Sequence, residues 1–290
     1  MKPKTVLKLG RVSNLPTVWT NTLAGAVLAG ATAFGAQMAV MLVAFSLFYV
    51  GGMFLNDAFD AEYDARERPE RPIPSGEVSR SSVFLAGYAQ MALGLLLLAW
   101  AGYGFGTGAG IAPVLAGVGL AAAITLYDAW HKGNPLSPLL MGLCRVLVYL
   151  GAGLCVTLVL PGALWLGAGL LLCYLIGLTY VAKQENLGEV RNLWPLLFLA
   201  APVLHGAWLA AQSAVVAPFL LLFVVWMLVA LWFLRRRQRG DIPRAVVSLI
   251  AGISLLDAML IAGAGAPALA LLALAGFAVT LFLQRYISGT

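Results

Sequence analysis

Charge is scarce in this chain. Only 10% of its 290 residues are Asp, Glu, Lys or Arg, 61% are hydrophobic, and the mean hydropathy is +0.92. A soluble domain carries about 25% charged residues. A soluble core cannot absorb so much apolar surface, so a water-soluble fold is excluded and the solvent must be lipid. Cysteine is rare as well: Cys144, Cys155 and Cys173 each lie inside an apolar run. That excludes a disulfide framework or a thiolate zinc site and leaves small hydrophobes in helix interiors. No continuous basic face exists, despite a net charge of +6. The basic residues sit in short segments between apolar runs, which excludes a nucleic-acid partner. The basic opening MKPKTVLKLGRVSNLP leads into an apolar run without a clear cleavage site, so a first span is expected there rather than a removable signal peptide.

What the chain has instead is length in apolar runs. Ten approach the roughly 20 residues of a membrane-spanning helix: 15–34, 37–57, 82–102, 109–127, 137–159, 162–182, 193–211, 215–234, 244–263 and 267–286. The 32 glycines suit close helix packing in lipid. The expected fold is an all-α polytopic membrane protein of nine or ten transmembrane helices. A single domain over 1–290 is expected, its pseudo-repeated four-helix halves (about 10–127 and 137–234) enclosing a central cavity.

Threaded back and forth, these runs give a strongly sided protein. The connections 34–37, 102–109, 159–162, 211–215 and 263–267 hold no charged residue. The opposite side receives every Lys and Arg except Arg145, which lies about two turns inside its helix, and every acid except Asp257. The positive-inside rule makes that side cytoplasmic. Both termini are then cytoplasmic, and the expected location is the inner (cytoplasmic) membrane. Asp257 and His205 fall mid-span, either as polar contacts between helices or as part of a pathway.

Against this background one stretch stands out. FLNDAFDAEYDARERPERPIPSG, Phe54 to Gly76, carries nine charged residues. Asn56, Asp60 and Asp64 are spaced by four, which on a helix puts them on one face about 6 Å apart. Carboxylates so placed repel unless a cation lies between them. Hard oxygen donors suit Mg²⁺, which keeps its own waters and is commonly shared with substrate phosphates. A solvated helix end is the plain alternative. A second pair, Glu185 and Glu189 in KQENLGEVRN, repeats the spacing at the end of a later run. Two such pairs across one cavity could hold two Mg²⁺ ions on a diphosphate. Arg66, Arg68 and Arg71 flank the first motif, Lys183 and Arg191 the second; cations beside carboxylates make sense for a polyanionic ligand. The connection LYDAWHKGNPLSP adds Tyr127, Asp128, His131, Lys132 and Asn134 on the same side, with Lys132 a natural phosphate partner and His131 either a surface histidine or a base. Arg11 and Asn14 open the first run there, followed by Pro16.

NDAFDAEYD followed by RPERPIPSG resembles the Asn/Asp-rich signature and Arg-Pro-rich loop of the UbiA superfamily of intramembrane prenyltransferases. The resemblance implies Mg²⁺-dependent transfer of a prenyl group from an isoprenyl diphosphate to a hydrophobic acceptor, aromatic or lipid-like, within the bilayer. It makes Asn56, Asp60 and Asp64 ligands of the Mg²⁺–diphosphate and puts Arg71 in a loop capping the cavity. The family's second signature is usually a pair of Asp residues, where this chain has Glu185 and Glu189. The implied allylic cation would meet tyrosine faces, with Tyr63, Tyr127, Tyr149, Tyr174 and Tyr180 as candidates, although tyrosines at helix ends are also interfacial anchors. Arg145 is the candidate cation for a carboxylated acceptor. Two other classes compete: a transporter, which would place ionisable groups near the midplane, and a prenyl-diphosphate-binding protein of weak catalysis.

Overall fold

In the computed structural model, residues 3–107, 109–184, 194–236 and 238–287 are described. Every described element is helical. After the short α1 (Pro3–Leu9) come α2 (Leu15–Leu28), α3 (Ala36–Phe59), α4 (Ala61–Glu67), α5 (Arg80–Tyr103), α6 (Ala112–Trp130), α7 (Ser137–Val156) and α8 (Gly162–Gln184). The chain continues through α9 (Ala200–Gln212), α10 (Ala217–Arg236), α11 (Asp241–Gly263) and α12 (Pro267–Gln284). Each of the ten apolar runs contains one of these helices. Among the described residues, eight helical stretches are long and apolar enough to cross a membrane. The exceptions are α2, with 14 residues, and α9, with 13 preceded by a 3-10 turn over Trp194–Leu199. At 1.5 Å per residue, α2 alone spans only about 21 Å. The sequence run 15–34 overstates it because the chain leaves the helix at Ala29 and turns at Gly30, whose φ is 108°.

The helices pack in chain order, α3 on α5, α6 on α7, α7 on α8 and α10 on α11, and α12 returns to α2. α11 is the most enclosed; it contacts α2, α8, α10 and α12. Large apolar side chains such as Leu96, Leu221 and Trp208 remain exposed on the outside. A water-soluble protein rarely leaves so much contiguous apolar surface, and lipid takes it up. The chain is therefore a multi-pass membrane protein. The close approach of α3 to α5 needs two glycines: a Cβ on Gly51 would sit 2.8 Å from the Gly87 carbonyl oxygen. Contacts of this kind let bare backbones meet in lipid, where no hydrophobic effect drives helices together.

Asp257 is a polar junction between helices. Thr20 Oγ1 donates to it at 2.5 Å, Asn21 Nδ2 at 2.8 Å and Tyr149 Oη at 2.5 Å, joining α2, α7 and α11. Arg145 joins the same network without touching Asp257 directly: its Nη1 donates to Asn21 Oδ1 at 2.9 Å and its Nη2 to Thr17 Oγ1 at 3.0 Å. Tyr149 and Tyr174 are fully buried, the second donating to the Leu249 carbonyl. Both rings are enclosed between helices and neither lines the cavity bordered by Asn56 and Asp60, so neither face is available to a reacting group there, contrary to expectation. His205 lies in α9 and stacks on Trp208.

Candidate active site

The acidic motif is built by helix continuity. α3 ends at Phe59 and α4 starts at Ala61, yet the i to i−4 ladder crosses the junction. Asp60 N donates to Asn56 O at 3.0 Å, Asp64 N to Asp60 O at 2.8 Å and Arg68 N to Asp64 O at 2.8 Å. Residues 56, 60 and 64 therefore share one face, as their spacing predicts. That face borders a cavity of about 610 Å³.

The cavity has two ends of different chemistry. Its mouth is charged. Asp60 pairs with Lys132 Nζ at 2.6 Å, with His131 Nε2 3.6 Å away. Asp64 pairs with Arg71 Nη1 at 2.8 Å, and Arg71 also reaches Asp57 at 3.3 Å. Arg11 Nη2 donates to Asp57 Oδ1 at 2.9 Å and to Asn56 Oδ1 at 3.1 Å. Lys132 lies 3.7 Å over the Tyr63 ring, and Tyr127 stacks on His131. The inner end is apolar, lined by Val18, Phe45, Phe48, Leu120, Val148 and Ile253. Arg145 is a cation on this inner wall, 5.6 Å from the Tyr49 ring. Counted from Ser137 at the start of α7, it lies about 12 Å along the axis.

The loop after α4 is anchored at both margins. Thr5 Oγ1 donates to Glu77 at 2.9 Å, and Arg80 Nε donates to the Ala58 carbonyl at 2.8 Å. Ile73 and Val78 pack on a small core of Leu9, Phe54, Ala58 and Val83. These contacts aim Arg71 at the carboxylates. Arg11 owes its aim to the backbone: at φ 41° it is the one non-glycine residue with positive φ among the described residues. Backbone strain of this kind concentrates at functional sites.

The expected residues divide as follows. Asn14, Asn56, Asp60, Asp64, Arg68, Arg71, Tyr127, Lys132 and Arg145 all line the cavity. Asn14 Oδ1 also accepts from Gln284 Nε2 at 3.0 Å, tying α12 to the mouth. Arg66 does not line the cavity; its Nε turns back to the Glu62 carbonyl on the exposed side of α4. Tyr180 packs against the helix core rather than the cavity. Glu185, Glu189 and Arg191 lie outside the described residues. Lys183 falls within α8, whose Thr179 and Ala182 line the same cavity. The site also contains residues not expected as ligands, namely Arg11, Asp57 and Asp128. Asn56 Nδ2 donates to Asp128 Oδ1 at 3.0 Å, while Asp128 Oδ2 is buried without a partner among the described residues.

Among the described residues, no three His, Cys, Asp or Glu side chains form a ready-made metal cage. The acids are instead spread around the mouth; Asp57, Asp60 and Asp64 each lie beside a cation, and Asp128 accepts from Asn56. All are hard oxygen donors, and one buried carboxylate oxygen is orphaned. This set fits a small divalent ion shared with a ligand's phosphates and its own waters, not one bound by protein alone.

Fold and cavity together define a class: a polytopic helical membrane protein with an apolar chamber whose mouth gathers paired acids and cations. Residues 18–251 match the UbiA prenyltransferase family, and the chain belongs to that family. A curated digeranylgeranylglyceryl phosphate synthase of Methanopyrus kandleri is 34% identical over 137 residues, 45% of this chain and 45% of the relative. The chain thus spans less than half the length of this relative. A solved structure described as giving insight into digeranylgeranylglyceryl phosphate synthase in membranes shares the fold at TM-score 0.63 and 18% identity, over 90% of this chain and 98% of the other. A UbiA homolog from Archaeoglobus fulgidus bound to GPP and Mg²⁺ matches at TM-score 0.54 and 15% identity, over 97% and 99%.

Proposed function

We propose that this chain is an intramembrane prenyltransferase. It moves a prenyl group from an isoprenyl diphosphate to an acceptor in the bilayer, with Mg²⁺ shared between its carboxylates and the diphosphate. The observation that carries this reading is the two-ended cavity: a charged mouth with Asn56, Asp60 and Asp64 on one helical face, opening into an apolar interior. Family membership and the fold neighbour bound to GPP and Mg²⁺ support it.

In this reading Asn56, Asp60 and Asp64, with Glu185 and Glu189, hold the ion, which supplies charge neutralisation to the departing diphosphate. Lys132, Arg68, Arg71 and Arg11 exchange their carboxylate partners for phosphate oxygens. The C1–O bond of the allylic diphosphate breaks and its electron pair leaves with the diphosphate. The acceptor's nucleophilic atom bonds to C1 and gives up its proton. Tyr49, Tyr63 and Tyr127 offer ring faces at the boundary where positive charge develops, and the apolar walls exclude water and hold the tail. Arg145 is placed to meet an anionic group on the acceptor. The name of the curated relative points to a glyceryl phosphate lipid as that acceptor. The charged mouth, both termini and the Arg-rich connections face the cytoplasm, and residues 10–127 and 137–234 form the two halves of one domain.

The test is transfer of a radiolabelled allylic diphosphate into a lipid extract by membranes containing the chain. A labelled lipid product that EDTA abolishes supports the proposal. Absence of product with every prenyl length, despite folded protein, contradicts it.

A further inference from the structure

We propose that Asp128 is a positioning residue: it fixes the orientation of the Asn56 side-chain amide, and through it the oxygen offered to a metal at the cavity mouth. This rests on the reading of the cavity as a metal–diphosphate site.

An asparagine side chain has one accepting end and one donating end, and its use as a hard-oxygen ligand depends on which end faces the ligand. Arg11 decides which end of the Asn56 amide is which. Arg11 has only donors, so the amide atom 3.1 Å from its Nη2 is the oxygen. The other amide atom is then the nitrogen, and it donates to Asp128 Oδ1 at 3.0 Å. The two contacts agree on a single orientation, with the NH₂ turned to α6 and the oxygen left beside Arg11. Asn56 is 7% and Asp128 4% exposed, so little water reaches them to compete.

The two restraints differ once a diphosphate arrives. Arg11 also serves Asp57 and lines the mouth. A polyanion competes for that guanidinium, and Arg11 then loosens its hold on the amide. Asp128 offers a phosphate no cation and stays with Asn56. The residue that keeps the NH₂ away from the metal in the loaded state is therefore Asp128. It stands 72 positions away in the chain and comes to Asn56 only through the packing of α3 on α6. Outer partners of this kind orient metal ligands, and their loss typically weakens metal affinity about 10- to 100-fold.

The experiment uses full-length protein in lipid nanodiscs, with Mn²⁺ as the probe and a non-hydrolysable prenyl thiodiphosphate as co-ligand, and reads free Mn²⁺ by electron paramagnetic resonance. If the parent protein binds no Mn²⁺ in the presence of the thiodiphosphate, the metal–diphosphate reading fails, and this proposal with it. If the parent binds, two variants test Asp128 itself. Asp128→Leu keeps the size but removes the acceptor, and is expected to weaken Mn²⁺ about 10- to 100-fold. Asp128→Asn keeps an accepting oxygen for the Asn56 NH₂, and is expected to stay within about threefold of the parent. Parent-like affinity in Asp128→Leu overturns the proposal. So does a loss in Asp128→Asn as large as in Asp128→Leu, because Asp128 would then act by its charge alone. If Asp128→Leu does not fold, Asp128→Asn decides: retention supports the proposal and a tenfold loss overturns it.

Discussion

Replacing Arg71 by Ala removes a cation that touches two carboxylates at once. Its Nη1 lies 2.8 Å from Asp64 and 3.3 Å from Asp57, whose side chains are only 3% and 8% exposed. Charge-assisted hydrogen bonds contribute about 1.5–3 kcal/mol. Arg71 keeps 17% of its own side chain in solvent, so the lower part of that range applies, about 1.5–2 kcal/mol. Without Arg71, Asp57 and Asp64 are left uncompensated beside the incoming diphosphate, and an energy of about this size opposes its binding. At 1.4 kcal/mol per factor of ten, the KM for the diphosphate rises about 10- to 30-fold. The KM for the acceptor stays within about twofold, because Arg71 lies at the mouth and not on the inner wall. The assay is initial-rate kinetics on purified protein in nanodiscs, with one substrate varied at saturating levels of the other. An unchanged KM for the diphosphate, or an equal rise for both substrates, refutes the reasoning.

Two further outcomes follow from the packing and the sidedness. Gly51→Val should lower the thermal stability of detergent-solubilised protein by at least about 2 kcal/mol, since its Cβ meets the backbone of Gly87 at 2.8 Å and backbone cannot yield as a side chain does; a melting temperature within a degree of the parent contradicts that contact. In a background without the three native cysteines, a cysteine at exposed Gly106 should react with an impermeant reagent added outside intact cells, and one at exposed Ser75 should not; the reverse pattern inverts the proposed orientation.

Helices and the acidic face were legible in the sequence because both rest on local periodicity. Each apolar run holds a helix, and Asn56, Asp60 and Asp64 share a face because one ladder of hydrogen bonds runs through α3 and α4. Arg11 and Asp128 were not legible as partners of Asn56. Their separations of 45 and 72 residues are closed by tertiary packing, which spacing does not encode. A signal was present for Asp128, an acid at the end of an apolar run beside Lys132, but it reads equally well as a solvated helix end. Two of the tyrosines lie away from the cavity for the opposite reason, while Tyr63 and Tyr127 line it. Tyr149 and Tyr174 have the right residue type at the right depth, yet their hydroxyls are drawn to Asp257 and to the Leu249 carbonyl. Tyrosine buries readily when its hydroxyl finds a partner, and no sequence pattern tells that partner from a substrate.

The most direct measurement is Mg²⁺-dependent release of diphosphate from a labelled isoprenyl diphosphate, with product formed in the lipid phase, comparing the parent with Asp60→Asn, Asp64→Asn and Glu189→Gln. The parent should turn over, EDTA should abolish that turnover and excess Mg²⁺ should restore it. Each variant should fall by about a hundredfold or more, since removing a group that stabilises developing charge costs about 10²–10³ in rate. Full turnover in EDTA, or in Asp60→Asn and Asp64→Asn together, would contradict a Mg²⁺–carboxylate site at the cavity mouth.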